Sequence, residues 1–266
     1  MTRLFMVLLL VAPSLNAAEP AVQIVAHRGA SHDAPENTVA AIKLAWEQKA
    51  DASELDIYLT KDQKIVVIHD KDTKRTTGVE GKVVDRLFSD LRKLDAGSWK
   101  SPKFAGERLP TLDEMLANVP SGKRLFIEVK CGPEIVPELN RTLMASQLKP
   151  SQTPVIAFSP DVIAAVKKAR PDLPAYWLVS LKPKKGEKPP VAEDILAKAK
   201  AIKADGLDLS ADDSLDAALA AKIKAAGLRL DVWTVDDPIV AKRMVAIGVD
   251  GITTNRPAWL REQLAK

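Results

Sequence analysis

The segment Ser53-Glu-Leu-Asp-Ile-Tyr-Leu-Thr-Lys-Asp-Gln-Lys-Ile-Val-Val-Ile68 decides the fold. It holds two strand-like runs, Ser53–Tyr58 and Ile65–Ile68, separated only by Thr60-Lys-Asp-Gln-Lys64. A parallel crossover needs a dozen or more residues, so the pair predicts an antiparallel hairpin. With its turn centred on Asp62–Gln63, pairing places Asp56 opposite His69. Side chains at i and i+2 of a strand share a face, so Glu54 and Asp56 project together.

Outward from this hairpin the chain alternates. Further strand candidates are Val22–Ala26, Leu125–Val129, Val155–Phe158, Tyr176–Val179, Gly206–Leu209, Leu230–Thr234 and Gly251–Thr253. Helix candidates are Thr38–Gln48, Thr111–Asn118, Ile135–Ser146, Pro160–Ala169, Val191–Ile202, Ser214–Ala225, Pro238–Ile247 and Pro257–Leu264. Ser159-Pro160, Asp237-Pro238 and Arg256-Pro257 put proline in a first helical turn, and Gly227 and Gly248 stand at helix ends. Strands alternating with helices imply parallel βα units. Once one strand is assigned to the hairpin, the repeats make a (β/α)8 TIM barrel, an α/β fold. A doubly wound open sheet is the second choice, but no glycine-rich dinucleotide fingerprint supports it. The alternation breaks from Lys71 to Pro110, which reads as an insertion after His69 (residues 71–110) over the barrel mouth.

The chain of 266 residues is 46% hydrophobic and 28% charged, with a net charge of +4. That suits a folded globular domain and leaves no nucleic-acid footprint, because basic residues are scattered and aromatics are few. The run Lys182–Pro190 reads as a solvated loop. The N-terminus has Arg3, an apolar run Leu4–Ala12 and small residues at Ala17 and Ala18. This pattern predicts a signal peptide over residues 1–18, a barrel domain over residues 19–266 and a periplasmic or secreted product. No stable membrane anchor is expected, since no later apolar run reaches spanning length. Cys131 is the single cysteine, so no intrachain disulfide can form. The oligomeric state is left open.

Barrel enzymes act at the C-terminal ends of their strands. Of three histidines, His27 and His69 each end an apolar run. Glu54 and Asp56, Glu128 and Lys130, Arg28, Trp233 and Asn255 also fall at or near strand ends. Any one of these reads blandly alone. Together they put charge inside buried strand runs, where it must be paired or metal-bound. Three carboxylates facing one mouth repel one another unless a cation bridges them. An all-oxygen set favours Ca²⁺ or Mg²⁺ over zinc. Arg28 and Lys130 suit phosphate oxygens, and His27 and His69 suit a general base and a general acid. Such a set fits phosphate ester chemistry.

These residues resemble the glycerophosphodiester phosphodiesterase family. The matching motifs are His27-Arg28-Gly29 with Pro35-Glu36-Asn37-Thr38, Glu54-Leu-Asp56, His69-Asp70, and Gly106-Glu-Arg-Leu-Pro110-Thr-Leu-Asp-Glu. Glu128-Val-Lys130, Val232-Trp233-Thr234-Val235 and Asp250-Gly-Ile-Thr-Thr-Asn255-Arg-Pro257 continue them in order. The resemblance implies a barrel with an insertion after the second histidine. It implies His27 and His69 as the acid/base pair, Glu54, Asp56 and Glu128 as ligands of the divalent cation, Arg28 and Lys130 on phosphate, and Trp233 along the substrate's organic part. The implied chemistry is attack of a glycerol 2-hydroxyl on phosphorus, then hydrolysis of a cyclic phosphate to sn-glycerol 3-phosphate. Two departures, Ala157-Phe158-Ser159 and Asn255, are expected to touch neither the metal nor the proton groups and to bear on headgroup preference. His32, outside the motifs, reads as a loop residue. Two other readings are a phospholipase D-like enzyme for lysophospholipids, drawing on Phe88, Trp99 and Phe104, and a non-catalytic glycerophosphodiester-binding protein.

Overall fold

The computed structural model describes residues 22–183 and 190–266. The expected signal peptide and most of the basic loop lie outside the described residues. The chain runs β1 (Gln23–Ala26), α1 (Val39–Glu47), β2 (Ala52–Leu59), β3 (Ile65–Val67), α2 (Lys74–Thr77), α3 (Phe88–Leu91), α4 (Leu112–Leu116) and β4 (Arg124–Val129). It continues α5 (Val136–Ala145), β5 (Val155–Ala157), α6 (Pro160–Ala169), β6 (Ala175–Val179), α7 (Ala192–Ala201) and β7 (Gly206–Ser210). Last come α8 (Ala217–Ala225), β8 (Arg229–Trp233), α9 (Pro238–Ala246), β9 (Gly251–Thr254) and α10 (Pro257–Leu264). Strands β1, β2 and β4 to β9 pair in parallel around a closed ring, with β1 joining both β2 and β9. This is the eight-stranded barrel, and β3 is the additional strand.

Alternation along each strand sorts the core. On β4, Leu125, Ile127 and Val129 pack outward against the helices, in the large cluster shared with Ile42, Leu139 and Ile163. Phe126 packs inward, with Val25, Ala52, Ile156, Tyr176 and Leu178, and fills the barrel. A layer near the strand starts is polar but paired: Arg229 holds Asp231 at 2.7 Å and shares Gln23 with Arg124. The helices start where the expected residues cap them. Thr38, Ser159, Asp216 and Asp237 each accept a bond from a first-turn N–H, and Thr111 forms a capping box with Glu114.

The hairpin forms, one residue out of the expected register. Ile57 pairs Val67 and Leu59 pairs Ile65, which brings Ile68, not His69, opposite Asp56. Ile68 N–H accordingly donates to the Asp56 carbonyl at 3.0 Å. The turn is a three-residue loop, with Gln63 in the left-handed region at φ 57° and Thr60 N–H donating to the Lys64 carbonyl. A glutamine in that conformation is not legible from residue type. A one-residue slip reverses facing, so His69 reaches the site because the chain leaves the strand after Val67. The insertion is built of short helices around a core of its own, in which Val66, Ile68, Val83, Leu91, Ala96 and Leu109 are buried. It returns alongside β3, where Val67 N–H donates to the Pro110 carbonyl.

Candidate active site

The loop after β1 is strained where it meets β2. Arg28 and Asn37 both adopt left-handed backbone, φ 55° and 60°. Such conformations cost about 1–3 kcal/mol each and persist only when their surroundings fix them. Here Asn37 N–H donates to the Arg28 carbonyl, and Arg28 N–H donates to Glu54 Oε2 at 2.9 Å. The Asn37 amide both donates to Asp56 Oδ2, at 2.8 Å, and accepts from Asp56 N–H. Gly29 follows at φ 81°, and a Cβ there would lie 2.5 Å from the Ala41 carbonyl carbon of α1. Only glycine meets both demands.

This loop grips the carboxylates of β2. Glu54, Asp56 and Glu128 are buried and each offers an oxygen within 4.8 Å of the others. Arg28 Nε stands 3.2 Å from Asp56, and Arg28 also donates to Glu36 at 2.9 Å. Lys130 Nζ donates to Glu128 at 2.6 Å and lies 3.5 Å from Asp56. Two cations do not satisfy three carboxylates here: Glu54 Oε1 and Asp56 Oδ1 are buried without a hydrogen-bond partner among the described residues. Burial and the neighbouring Asp56 charge push Glu128 up to about 7, and burial with Asp56 and Glu128 pushes Glu54 well above its ordinary value. Orphaned oxygens, crowded like charge and an oxygen-only donor set fit a divalent cation.

The histidines are fixed through Nδ1. The Asn255 amide donates to Asp236 at 2.5 Å, which turns its Oδ1 towards His27, where it accepts from Nδ1–H at 2.7 Å and from Ser31 Oγ. His27 Nε2 is thereby the acceptor nitrogen. Burial, with Arg28 alongside, pulls the His27 imidazole down to about 4, so the ring is neutral near pH 7. His69 Nδ1 pairs with Asp70 at 2.7 Å. Arg75 holds Asp70 at 2.6 Å and clamps Glu36 at 2.8 Å, so one arginine of the insertion ties the His69 support to the Arg28 loop. The Arg75 bond holds Asp70 down near 2.

A cavity of about 120 Å³ collects His27, Arg28, Glu54, His69, Glu128, Lys130 and Trp233, with Asp56 just behind its wall. The structure thus brings together all eight residues singled out in the sequence. One expectation is overturned: Asn255 bonds His27 directly, so it does touch one of the two histidines expected to carry protons. Phe158, the other departure, sits at the mouth edge-on to Trp233, with centroids 5.4 Å apart. His32 is exposed and pairs only with Asp33. Cys131 is half-buried, and burial pushes its thiol up to about 11, which gives it no nucleophilic character. Of the insertion's aromatics, Phe88 packs into the small core and Trp99 is the exposed one. Sequence reading missed Asp236, Arg75 and Asp208. Asp208 alone carried a usable pattern, a carboxylate on the inward alternation of Gly206-Leu-Asp-Leu-Ser210.

Comparison with known proteins points one way. A family model described as the glycerophosphoryl diester phosphodiesterase family matches residues 27–259. A glycerophosphodiester phosphodiesterase of Bacillus subtilis is 34% identical over 250 residues, covering 88% of this chain and 83% of the relative. One from Caldanaerobacter subterraneus is 35% identical, covering 89% and 95%. Among solved structures, an Oleispira antarctica phosphodiesterase in complex with the product sn-glycerol-3-phosphate superposes with a TM-score of 0.83, at 26% identity and over 92% of this chain and 97% of that one.

Proposed function

The chain belongs to the glycerophosphoryl diester phosphodiesterase family, and from that membership we propose how its site works. The protein is a phosphoric diester hydrolase that cleaves glycerophosphodiesters to sn-glycerol 3-phosphate and an alcohol, with a divalent cation. The observation that carries this reading is two imidazoles, each held through Nδ1, on one cavity with three clustered carboxylates.

Glu54, Asp56 and Glu128 hold the cation, which when bound supplies positive charge to the phosphoryl oxygens. The oxygen-only set selects Ca²⁺ or Mg²⁺. Arg28 and Lys130 lie on the cavity wall where they meet the remaining phosphoryl oxygens. His27 Nε2, neutral and backed by an uncharged amide, takes the proton of the glycerol 2-hydroxyl as that oxygen attacks phosphorus. His69 Nε2, backed by a carboxylate, gives a proton to the departing alcohol oxygen. The roles reverse as water opens the cyclic phosphate. Trp233 and Phe158 line the path of the alcohol.

Export to the periplasm or the medium is part of the proposal, supported by the charged, apolar and small-residue pattern of residues 3–18. No helix among the described residues is long and apolar enough to cross a membrane.

The test is release of glycerol 3-phosphate from glycerophosphocholine, with Ca²⁺, with Mg²⁺ and with chelator, alongside His27→Ala. Turnover that needs a cation and falls about 10²- to 10⁴-fold in the variant supports the reading. A folded protein inert on several glycerophosphodiesters overturns it.

A further inference from the structure

Among the described residues, Asp208 is the one ionisable cavity-lining group that the reaction above leaves without a task. It sits on the inward face of β7, is 1% exposed and lines the same cavity as His27 and Glu128. Its Oδ1 is buried with no hydrogen-bond partner, and neither carboxyl oxygen is bonded by any described residue. The guanidinium and indole donors around it are spoken for. Arg229 is taken by Asp231 and Gln23, and the Trp233 indole N–H donates to the Asp208 backbone carbonyl at 3.0 Å. Its cavity neighbours on β5 and β6, Ile156 and Leu178, are aliphatic. An unbonded buried carboxyl costs stability, so its retention calls for a partner that arrives with the ligand.

The candidate partners differ in chemistry. Phosphate has no cationic donor beside Asp208, since Arg229 is held by Asp231, and it has its own place by Arg28 and Lys130. A quaternary ammonium group seeks aromatic faces, and Trp233 and Phe158 lie higher, at the mouth, with Phe158 45% exposed. A hydroxyl on a small carbon chain fits both the aliphatic walls and the carboxyl. Burial, with Asp231 and Glu128 nearby, pushes the Asp208 carboxyl well up, so it can donate as well as accept.

We propose that Asp208 is a specificity-determining residue, binding a free hydroxyl of the substrate's glycerol unit at the cavity floor while the variable alcohol points out past Trp233 and Phe158. The proposal rests on the phosphodiesterase reading and deepens it. It adds to the demand for glycerol that the attacking 2-hydroxyl already makes: a buried polar group rejects a ligand that leaves it unpaired.

The test is calorimetric titration of the Ca²⁺-loaded protein with sn-glycerol 3-phosphate and with propyl phosphate, in wild type, Asp208→Leu and Asp208→Asn. Wild type is expected to prefer glycerol 3-phosphate by about 10- to 100-fold. Asp208→Leu should lose most of that preference, keeping only the share that the 2-hydroxyl draws from His27, without weakening propyl phosphate. Asp208→Asn, which still bonds a hydroxyl, should keep part of it. Without ligand, Asp208→Leu should melt no lower than wild type. Equal loss of both ligands, an intact preference, or a melting point lowered by several degrees in both variants overturns the assignment. Wild type that turns over no glycerophosphodiester and binds neither ligand instead fails the parent reading, and this one with it.

Discussion

Asn255 shows what one side chain decides. As an amide it orients His27 and fixes which nitrogen is basic, and as a neutral group it gives a charged ring only a dipole's support, outweighed by burial. Asn255→Ala is therefore expected to lower kcat by about 10- to 100-fold with KM nearly unchanged, the signature of a lost positioning group. His32→Ala, next in sequence to the Ser31 that bonds the Asn255 amide, is the control and should keep full activity, because its backbone N–H rather than its ring meets Asn255. The same scale yields a pH expectation. The base must be unprotonated, and burial lowers the His27 pKa to about 4. The acid limb of kcat/KM assigned to this ring should therefore lie well below the ordinary histidine value, with activity rising as pH rises through it. Loss of that limb in a His27 variant rescued by imidazole would check the assignment. Most of the site was legible at this scale because catalytic side chains break the apolar alternation of buried strands. Asp236 and Arg75 were not, because both sit on irregular loops where charge is ordinary and only the third dimension makes it meaningful.

At the level of elements, every expected strand and helix is present, with ends shifted by up to a few residues. The hairpin register is the instructive miss. Asp62–Gln63 looked like the turn centre, but Gln63 accepts the left-handed position that residue preferences assign to glycine or asparagine. The junction of β1 and α1 makes the opposite point, since there the backbone demand is stated openly by Gly29. Gly29→Ala should cost about 2–5 kcal/mol, combining overpacking against Ala41 with a strained φ. Urea unfolding would measure it, and a loss under about 1 kcal/mol would mean the loop has room the structure denies it. The insertion adds a second kind of element logic. Arg75 joins Glu36 to Asp70, so the insertion is latched to the barrel beside the histidine that precedes it.

For the whole molecule, the barrel concentrates negative charge where it is least soluble, on buried strands facing one cavity. Glu54 and Glu128 are raised in the protein without a cation. Their protons must leave when a cation enters. Ca²⁺ affinity is therefore expected to climb as pH rises through about 7, where Glu128 gives up its proton, with protons released on binding. Calorimetry in buffers of differing ionisation enthalpy would detect that release, and pH-independent binding without it would contradict the raised carboxyls. Chelation should lower the melting temperature above that range, where the carboxylates are ionised and repel one another.

The bond from His27 to Asn255 spans 228 residues of sequence. A nascent polypeptide acquires its metal ligands early, on β2 and β4, yet the base stays unaimed until β9 has emerged and closed against β1. Synthesis therefore delivers the three carboxylates long before the side chain that aims the imidazole, and the site is complete only when the barrel closes.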